Sequence, residues 1–172
     1  MDHNLYTLTA EDQARMLRKL MLYWDGQWFL KTVEAHGLEA AIALNARVRR
    51  SFGRIEMRQL LKAVGKPQAD DLPDALRLLA TYADAFMGPA LRAEFISQND
   101  DSAEIRIRRC AAYEGAKRAN LPRQDQACIA CEGLWAAWLE VLLPDTPLRI
   151  EAAARMGFGD PTCRFVIQKG NP

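Results

Sequence analysis

Apolar residues recur every three or four positions over the first half of the chain, which is the spacing of helices with one buried face. In the first such segment the recurring residues are Leu17, Leu20, Trp24 and Trp28. The hydroxyl of Thr9 can cap the start of this helix, and Gly37 can end it. The pattern therefore predicts one long first helix, which Gly26 can bend.

Two more helices are predicted between residues 38 and 65. The first begins near Leu38 and ends at Gly53, and the second ends at Gly65, because glycine commonly follows the last turn of a helix. The residues expected on their buried faces are Ala41, Leu44, Val48 and Phe52, then Ile55, Leu60, Leu61 and Val64. A fourth helix begins near Pro73, since proline suits a first turn. Its buried face is expected to hold Leu76, Leu79, Ala83 and Phe86.

After Gly88 the period changes to the alternation that is typical of a β-strand. Residues 91–95 alternate between apolar and charged, the polar run QNDDS turns the chain, and residues 105–108 alternate again. This pattern predicts a first β-hairpin. The stretch CAAYEGAKRANLP that follows is ambiguous between helical turns and loop.

A fifth helix is predicted from Gln124 to Leu143, where Pro144 stops it. A second hairpin then begins near Leu148, turns through GFGDPT and returns along CRFVIQ. The order of elements predicts an α+β fold in which helices pack on one face of a four-stranded antiparallel sheet. We expect a single domain over residues 1–172, with a helical part over 1–88 and a ββαββ part over 89–172.

The charges of the chain nearly cancel, with 23 Lys and Arg against 22 Asp and Glu. We therefore expect no nucleic-acid partner, because such binding depends on a basic surface. No segment approaches the roughly 20 apolar residues of a membrane span, and residues 1–9 do not resemble a signal peptide. These observations predict a cytoplasmic protein whose four cysteines are thiols or metal ligands and not disulfides.

Three cysteines lie in the last third of the chain, and their role is open between three interpretations. Cys128 and Cys131 form a CxxC pair within a helical stripe, so they can be small core residues. A redox pair is disfavoured, because the preceding segment is a polar loop and not a strand. The third interpretation is a zinc site, to which the second hairpin adds Glu151 and Cys163 beside its glycine-rich turn. That turn can also be an ordinary one, with Cys163 facing the core.

The four tryptophans form two helical pairs, Trp24 with Trp28 and Trp135 with Trp138. Such pairs usually belong to the core, but two helices that each present a pair can also line a pocket for a flat or apolar ligand. Asp25 stands beside Trp24 within an apolar run, so we include it among the candidate pocket residues.

Two stretches of the chain resemble known families. The segment WDGQWFLKTVEAHGLEAAIALNARVRRSFGRIEMR resembles the N-terminal half of an uncharacterised family of bacterial and archaeal cytosolic proteins related to the L-2-amino-thiazoline-4-carboxylic acid hydrolase-like group. The segment MGFGDPTCRFVI resembles the closing motif of the 4-vinyl-reductase domain, a small-molecule-binding fold. The resemblances imply two hairpins around a helix with additional N-terminal helices, and a homodimer.

The second resemblance also implies zinc as a cofactor. In sensor members of that domain the ligands are a cysteine, a glutamate, a cysteine three residues later and a cysteine after a Gly-Asp turn. Cys128, Glu151 and Cys163 match three of these positions, and Ala154, which cannot bind zinc, stands at the fourth. Cys131 is the replacement ligand that we predict.

Three functions are compatible with these observations. The first is a small-molecule-binding or sensing protein with a pocket between the N-terminal helices and the sheet. The second is a hydrolase of a small cyclic C–N or C–S bond, in which a cysteine or a metal-bound water attacks and Glu132, Glu151 or Asp160 moves the proton. The third is a non-catalytic structural protein. The common nucleophile, phosphate-binding and zinc-protease motifs are absent from the sequence.

Overall fold

The computed structural model describes residues 6–170, and within that range the side chains of all residues except Gln126 and Ala127. The helices are α1 (Ala10–His36), α2 (Leu38–Val64), α3 (Leu72–Tyr82), α4 (Ala111–Arg118), α5 (Gln124–Ala127) and α6 (Ala130–Leu142). The strands are β1 (Leu91–Ser97), β2 (Ser102–Cys110), β3 (Leu148–Ala154) and β4 (Cys163–Lys169). This is the predicted α+β order of helices, hairpin, helix and hairpin.

The first helix has the predicted boundaries. The Oγ of Thr9 accepts a hydrogen bond from the backbone N–H of Asp12 at 3.0 Å, which caps the first turn. At the other end Gly37 has a φ of +83°, and its N–H donates to the carbonyl of Val33. The helix continues through Gly26, and none of its residues is buried.

The prediction of two helices between residues 38 and 65 is wrong, because α2 continues through Gly53. Gly53 does not end the helix. It is a buried position where α6 approaches closely, with side-chain atoms of Leu134 and Trp138 around it. The helix ends at Gly65, which adopts the left-handed conformation with a φ of +72°.

The predicted buried face of α2 is also largely wrong. Ala41 and Leu61 are buried as expected, together with Gly53 and Met57. Five of the other predicted core residues are exposed, with 40% to 51% of their surface accessible: Leu44, Val48, Phe52, Ile55 and Val64. The helix has two apolar stripes, and the one that contains Gly53 and Met57 meets the core.

The four strands form one antiparallel sheet in the order β1-β2-β4-β3. The central pair brings Ile107 opposite Cys163, Ile105 opposite Phe165 and Ala103 opposite Ile167. All six of these residues are buried. They form the inner face of the sheet, against which α3 and α6 pack.

The predicted fifth helix is divided into α5 and α6, which are separated at residues 128 and 129. At the division Cys128 meets the short 3-10 turn Met156–Phe158 that joins β3 to β4. The approach is so close that a Cβ on Gly157 would lie 2.6 Å from the Sγ of Cys128. The pattern of apolar residues continues through this division, so it could not indicate the break.

Candidate functional site

A groove lies between the end of α3 and the edge strand β1. Its volume is about 360 Å³, which is within the usual size range of small-molecule sites. The residues that line it come from the last turn of α3, the segment that follows and the first hairpin: Ala80, Ala83, Asp84, Gly88, Leu91, Arg92, Ala93, Glu94, Phe95 and Arg108. None of the residues that the sequence predicted for a ligand pocket lines this groove.

One wall of the groove belongs to a π-helical turn, Ala83–Met87, that continues α3. Such turns are rare and often occur at functional sites. The turn ends at Gly88, whose φ of +49° favours glycine. Arg18 of α1 donates a hydrogen bond from Nε to the carbonyl of Ala85 at 2.6 Å, so α1 holds this turn from outside.

Phe95 connects the groove to an aromatic cluster in the core. Its ring centroid lies 6.3 Å from that of Trp135, which in turn lies 4.7 Å from Trp138 in an edge-to-face contact. Tyr82 then contacts Trp138 at 5.3 Å and Phe86 at 5.2 Å. The apolar side of the groove therefore rests on packed rings, which limits its deformation.

The charged residues of the groove divide into a paired and an unpaired set. Arg108 binds Glu94 at 2.6 Å, and its guanidinium holds the pKa of that carboxyl below the ordinary value. The side chains of Arg92 and Asp84 form no ion pair or hydrogen bond with another residue of the described range 6–170. One free cation and one free anion therefore line the same groove.

Four thiols lie near one another around the start of α6. Burial raises the pKa of Cys131, and the nearby Cys110, Cys128 and Cys163 raise it further. Burial likewise raises the pKa of Cys128 to about 11 and raises that of Cys163. These three thiols are therefore protonated at neutral pH, which makes them weak nucleophiles.

The short turn Met156–Phe158 holds two of these sulfur atoms. The N–H of Met156 donates to the Sγ of Cys163 at 3.3 Å, and the N–H of Gly157 donates to Cys128. Cys128, Cys131 and Cys163 thus lie in one region of the structure, in surroundings that keep their thiols protonated. Cys110, which the sequence did not single out as a site residue, lies in the same region.

The predicted zinc ligands do not form a zinc site in this arrangement. Glu151 lies opposite Val166 of β4 in the sheet. Cys163 is on the buried face, and Val166, three residues further along the same strand, is on the opposite face because successive side chains alternate. Glu151 therefore points away from the thiols. Its side chain is 68% exposed and forms an ion pair with Arg149 at 3.5 Å. No three His, Cys, Asp or Glu side chains between residues 6 and 170 form a group that could hold a metal ion.

The two predicted pocket pairs of tryptophans lie in different environments. Trp135 and Trp138 are buried in the core cluster. Trp24 and Trp28 are 64% and 61% exposed on α1, so the two pairs do not line one pocket. Asp25 forms an ion pair with Arg49 of α2 and connects the two long helices.

The acids proposed for proton transfer have other partners. Glu132 forms an ion pair with Arg155, whose guanidinium also stacks on the ring of Phe158. Asp160 accepts a hydrogen bond from the backbone N–H of Arg155 at 2.7 Å. These contacts organise the β3–β4 connection, and neither acid lines the groove.

A family model described as L-2-amino-thiazoline-4-carboxylic acid hydrolase matches residues 15–167. The chain belongs to this family. The match confirms the relation that the N-terminal motif indicated. No curated protein matches the chain.

Several solved structures share the fold at low sequence identity. The phenol-responsive sensory domain of the transcription activator PoxR, bound to phenol, has a TM-score of 0.59 at 14% identity, over 84% of this chain and 72% of that chain. Subunit 3 of a trafficking protein particle complex from Naegleria fowleri, covalently bound to palmitic acid, has a TM-score of 0.59 at 12% identity, over 91% of this chain and 97% of that chain. An H-NOX domain from Shewanella oneidensis has a TM-score of 0.53 at 16% identity, over 87% of this chain and 77% of that chain. These similarities confirm the architecture of this family member.

Sequence reasoning did not single out the groove residues Asp84, Arg92 and Phe95. The alternation of residues 91–95 correctly indicated a strand with Arg92 and Phe95 on it. No pattern indicated the π-helical turn that brings Asp84 to the same groove. In addition, no helix among the described residues is both long and apolar enough to cross a membrane.

Proposed function

We propose that this chain is a small-molecule-binding domain whose groove between α3 and β1 takes a small zwitterionic ring compound of the thiazoline-carboxylate type. The observation that carries the proposal is the free cation of Arg92 and the free anion of Asp84 in one groove with an apolar wall. The family match supports this ligand class. An aminothiazoline carboxylic acid carries a carboxylate at one end and a basic amidine-like group at the other.

The chemistry of the two side chains fits these two groups. A guanidinium binds a carboxylate through two parallel hydrogen bonds, and a carboxylate accepts two from an amidinium in the same way. Leu91, Ala93 and Phe95 can cover the apolar face of a small ring between these ends. Two solved structures with the same fold contain a phenol and a palmitic acid, which supports a fold suited to small organic ligands.

Hydrolysis of the bound ring is the second candidate function, because the matching family is named for a hydrolase. Ring opening at the C–S bond would consume one water and release a thiol. Asp84 is the free carboxylate of the groove, so it is the candidate base for that water. The thiols are less suited as nucleophiles, since their raised pKa values keep them protonated.

We also propose that the domain acts in the cytoplasm as a homodimer. All four cysteines of the chain are free, which is usual in a reducing compartment. The resemblance that indicated the fold implied the dimer as well.

Calorimetric titration with L-2-amino-thiazoline-4-carboxylic acid tests the binding proposal. The wild type should bind, and Arg92→Ala should weaken binding by about tenfold to a hundredfold, because a charge-assisted hydrogen bond contributes roughly 1.5–3 kcal/mol. Arg149→Ala is the matched control, since Arg149 lies on β3 outside the groove. Absence of binding at millimolar ligand, or equal losses in both variants, would contradict the proposal.

A thiol-release assay on the same samples separates binding from hydrolysis. If the chain is a hydrolase, the wild type should release thiol, and at saturating compound Asp84→Asn should lose at least about a hundredfold in turnover, the usual contribution of a general base. Binding by the wild type without thiol release would leave a binding domain and exclude hydrolysis of this compound.

A further inference from the structure

The two long helices carry an apolar surface that the rest of the molecule does not cover. On α1 the exposed apolar residues Leu17, Met21, Trp24 and Trp28 are spaced by four, three and four positions. On α2 the exposed apolar residues Leu44, Val48, Phe52 and Ile55 are spaced by four, four and three. Each set forms one stripe along its helix. We name these eight residues the outer face.

The two stripes lie on the same side of the helix pair. Only Gly37 separates α1 from α2, and the ion pair between Asp25 and Arg49 joins them at equal distances from that glycine. The helices therefore run antiparallel side by side. Trp24 directly precedes Asp25, and Val48 directly precedes Arg49. A step back of one residue rotates the side-chain direction by about 100° on each helix, and in antiparallel helices the two rotations have opposite sense. Trp24 and Val48 therefore point to the same side of the helix pair.

The outer face has the size of a protein interface. From their exposed fractions, its residues together present on the order of 800 Å² of side-chain surface, similar to the contribution of one partner to a standard interface. Soluble monomers rarely expose apolar patches of this size. No residue of α1 is buried in the single chain, although its apolar stripe is as regular as that of a core helix.

The outer face is open to solvent along both helices. The residues that line a shallow, open depression on this face all belong to α2: Leu44, Arg47, Val48, Ser51, Phe52 and Ile55. Beside it, Trp24 and Trp28 stand edge to face, with ring centroids 6.2 Å apart. A two-fold axis across this face would bring the α1 and α2 stripes of the two copies together, so that each copy covers the exposed rings of the other.

We infer that the outer face of α1 and α2 is the interface of an isologous homodimer, in which the apolar stripes of each copy cover Trp24 and Trp28 of the other. The second copy is favoured as the occupant because the exposed area matches the contribution of one partner to a standard interface, and because a two-fold contact covers the face on both copies at once. This inference locates the dimer proposed above. It does not depend on the ligand groove, so either proposal can fail alone.

Sedimentation velocity of the full chain at increasing concentration tests the inference. The wild type should sediment with twice the mass of one chain. Val48→Glu should weaken the dimer by at least about tenfold, because each dimer would then bury two unpaired carboxylates. Circular dichroism checks that the variant folds, which is expected since Val48 is 51% exposed in the single chain.

Val64→Glu is the matched control, since Val64 is 42% exposed at the end of α2 and lies outside the apolar stripe. This variant should dimerise like the wild type. A second readout is tryptophan emission, which should shift to shorter wavelength as the dimer forms, and the shift should shrink in Trp24→Phe/Trp28→Phe.

Three results would overturn the inference. One is a wild type that stays monomeric at high micromolar concentration, and another is a dimer that Val48→Glu leaves intact. The third is a monomer that binds vesicles of anionic phospholipid through this face, which would assign the outer face to a membrane surface.

Discussion

Gly53 of α2 lies directly against the indole ring of Trp138 on α6. A methyl group on Gly53 would lie 3.1 Å from Cδ1 and 3.2 Å from Nε1 of that ring, and 2.8 Å from Cδ1 of Leu134. The same Nε1 donates a hydrogen bond to Glu56 at 2.8 Å, so the ring cannot shift without loosening that bond. The contact accounts for a glycine in the middle of a long helix.

Replacement of Gly53 by alanine should lower the free energy of unfolding by about 1 kcal/mol. Overpacking lowers the free energy of unfolding by about 1–3 kcal/mol, and the better helix propensity of alanine raises it by about 1 kcal/mol. Urea denaturation measures the difference. Gly26→Ala in α1 is the matched control, since no atom lies within 4 Å of the added methyl, and it should stabilise the protein by up to about 1 kcal/mol. Effects of the same sign would contradict this account.

Tyr82→Phe should destabilise the protein by about 1.5–3 kcal/mol, because it removes a buried hydrogen bond to a charged acceptor. The hydroxyl of Tyr82 donates to Glu56 at 2.6 Å, and the tyrosine is 8% exposed. Thermal or urea denaturation gives the value. A loss below about 0.5 kcal/mol would mean that the bond contributes little.

The same tyrosine predicts a decrease in stability at high pH. Burial and the Glu56 carboxylate raise the pKa of Tyr82 above its ordinary value of 10.0. Because the folded pKa is the higher one, the stabilisation is complete below pH 10 and is lost as the pH rises further. The free energy of unfolding should therefore fall above about pH 10. In Tyr82→Phe this fall should be shallower, and an unchanged slope would refute the assignment.

Cys128 should react about a hundredfold more slowly with iodoacetamide in the native protein than in urea at the same pH. Its pKa rises from 9.0 to about 11 through burial, and only the thiolate reacts. Mass spectrometry of peptides after brief alkylation measures the rate at each cysteine. Ser97→Cys provides an exposed reference thiol at the end of β1, which should react at a similar rate in both states. Equal native rates at Cys128 and at the reference would contradict the burial of Cys128.

Protonation of the Asp74 carboxylate should make the protein less stable in acid. Its carboxylate accepts hydrogen bonds from Lys66 at 2.6 Å, from Arg77 at 3.0 Å and from the N–H of Asp70 at 3.1 Å. The Lys66 ammonium lowers the pKa of Asp74 below 3.8. The folded pKa is the lower one, so the stabilisation is present above the unfolded pKa and is lost as the pH falls.

The free energy of unfolding should therefore decrease from about pH 5 towards pH 3, and Asp74→Asn should show a smaller decrease. Denaturation curves over this range measure the slope. Asp101→Asn is the comparison, because Asp101 is 76% exposed in its ion pair with Lys169. If both variants lost the same part of the slope, Asp74 would have no special role.

The sequence by itself determined the order of the helical and strand segments, although not the number of helices. Thr9, Gly37 and Gly65 act locally, through a capping hydroxyl and through backbone conformations that glycine favours, so their roles could be predicted without tertiary contacts. The alternation in both hairpins also depends on a local property, the two-residue period of a strand. The α+β fold and the four-stranded sheet followed from these signals.

The tertiary structure decided which apolar residues are buried. Both stripes of α2 have helical spacing, and only the approach of α6 at Gly53 selects the one that faces the core. For the same reason the exposed position of Trp24 and Trp28 could not be predicted, because periodicity identifies an apolar face and not the surface that covers it.

The candidate site depended on tertiary contacts even more. The register of β3 against β4 directs Glu151 to solvent and Cys163 to the core, and a bulge between Ala152 and Ala154 shifts that register. The groove requires a π-helical turn and an edge strand that are brought together only by folding. The sequence contains the charges of Asp84 and Arg92, but their shared position is a property of the packed chain.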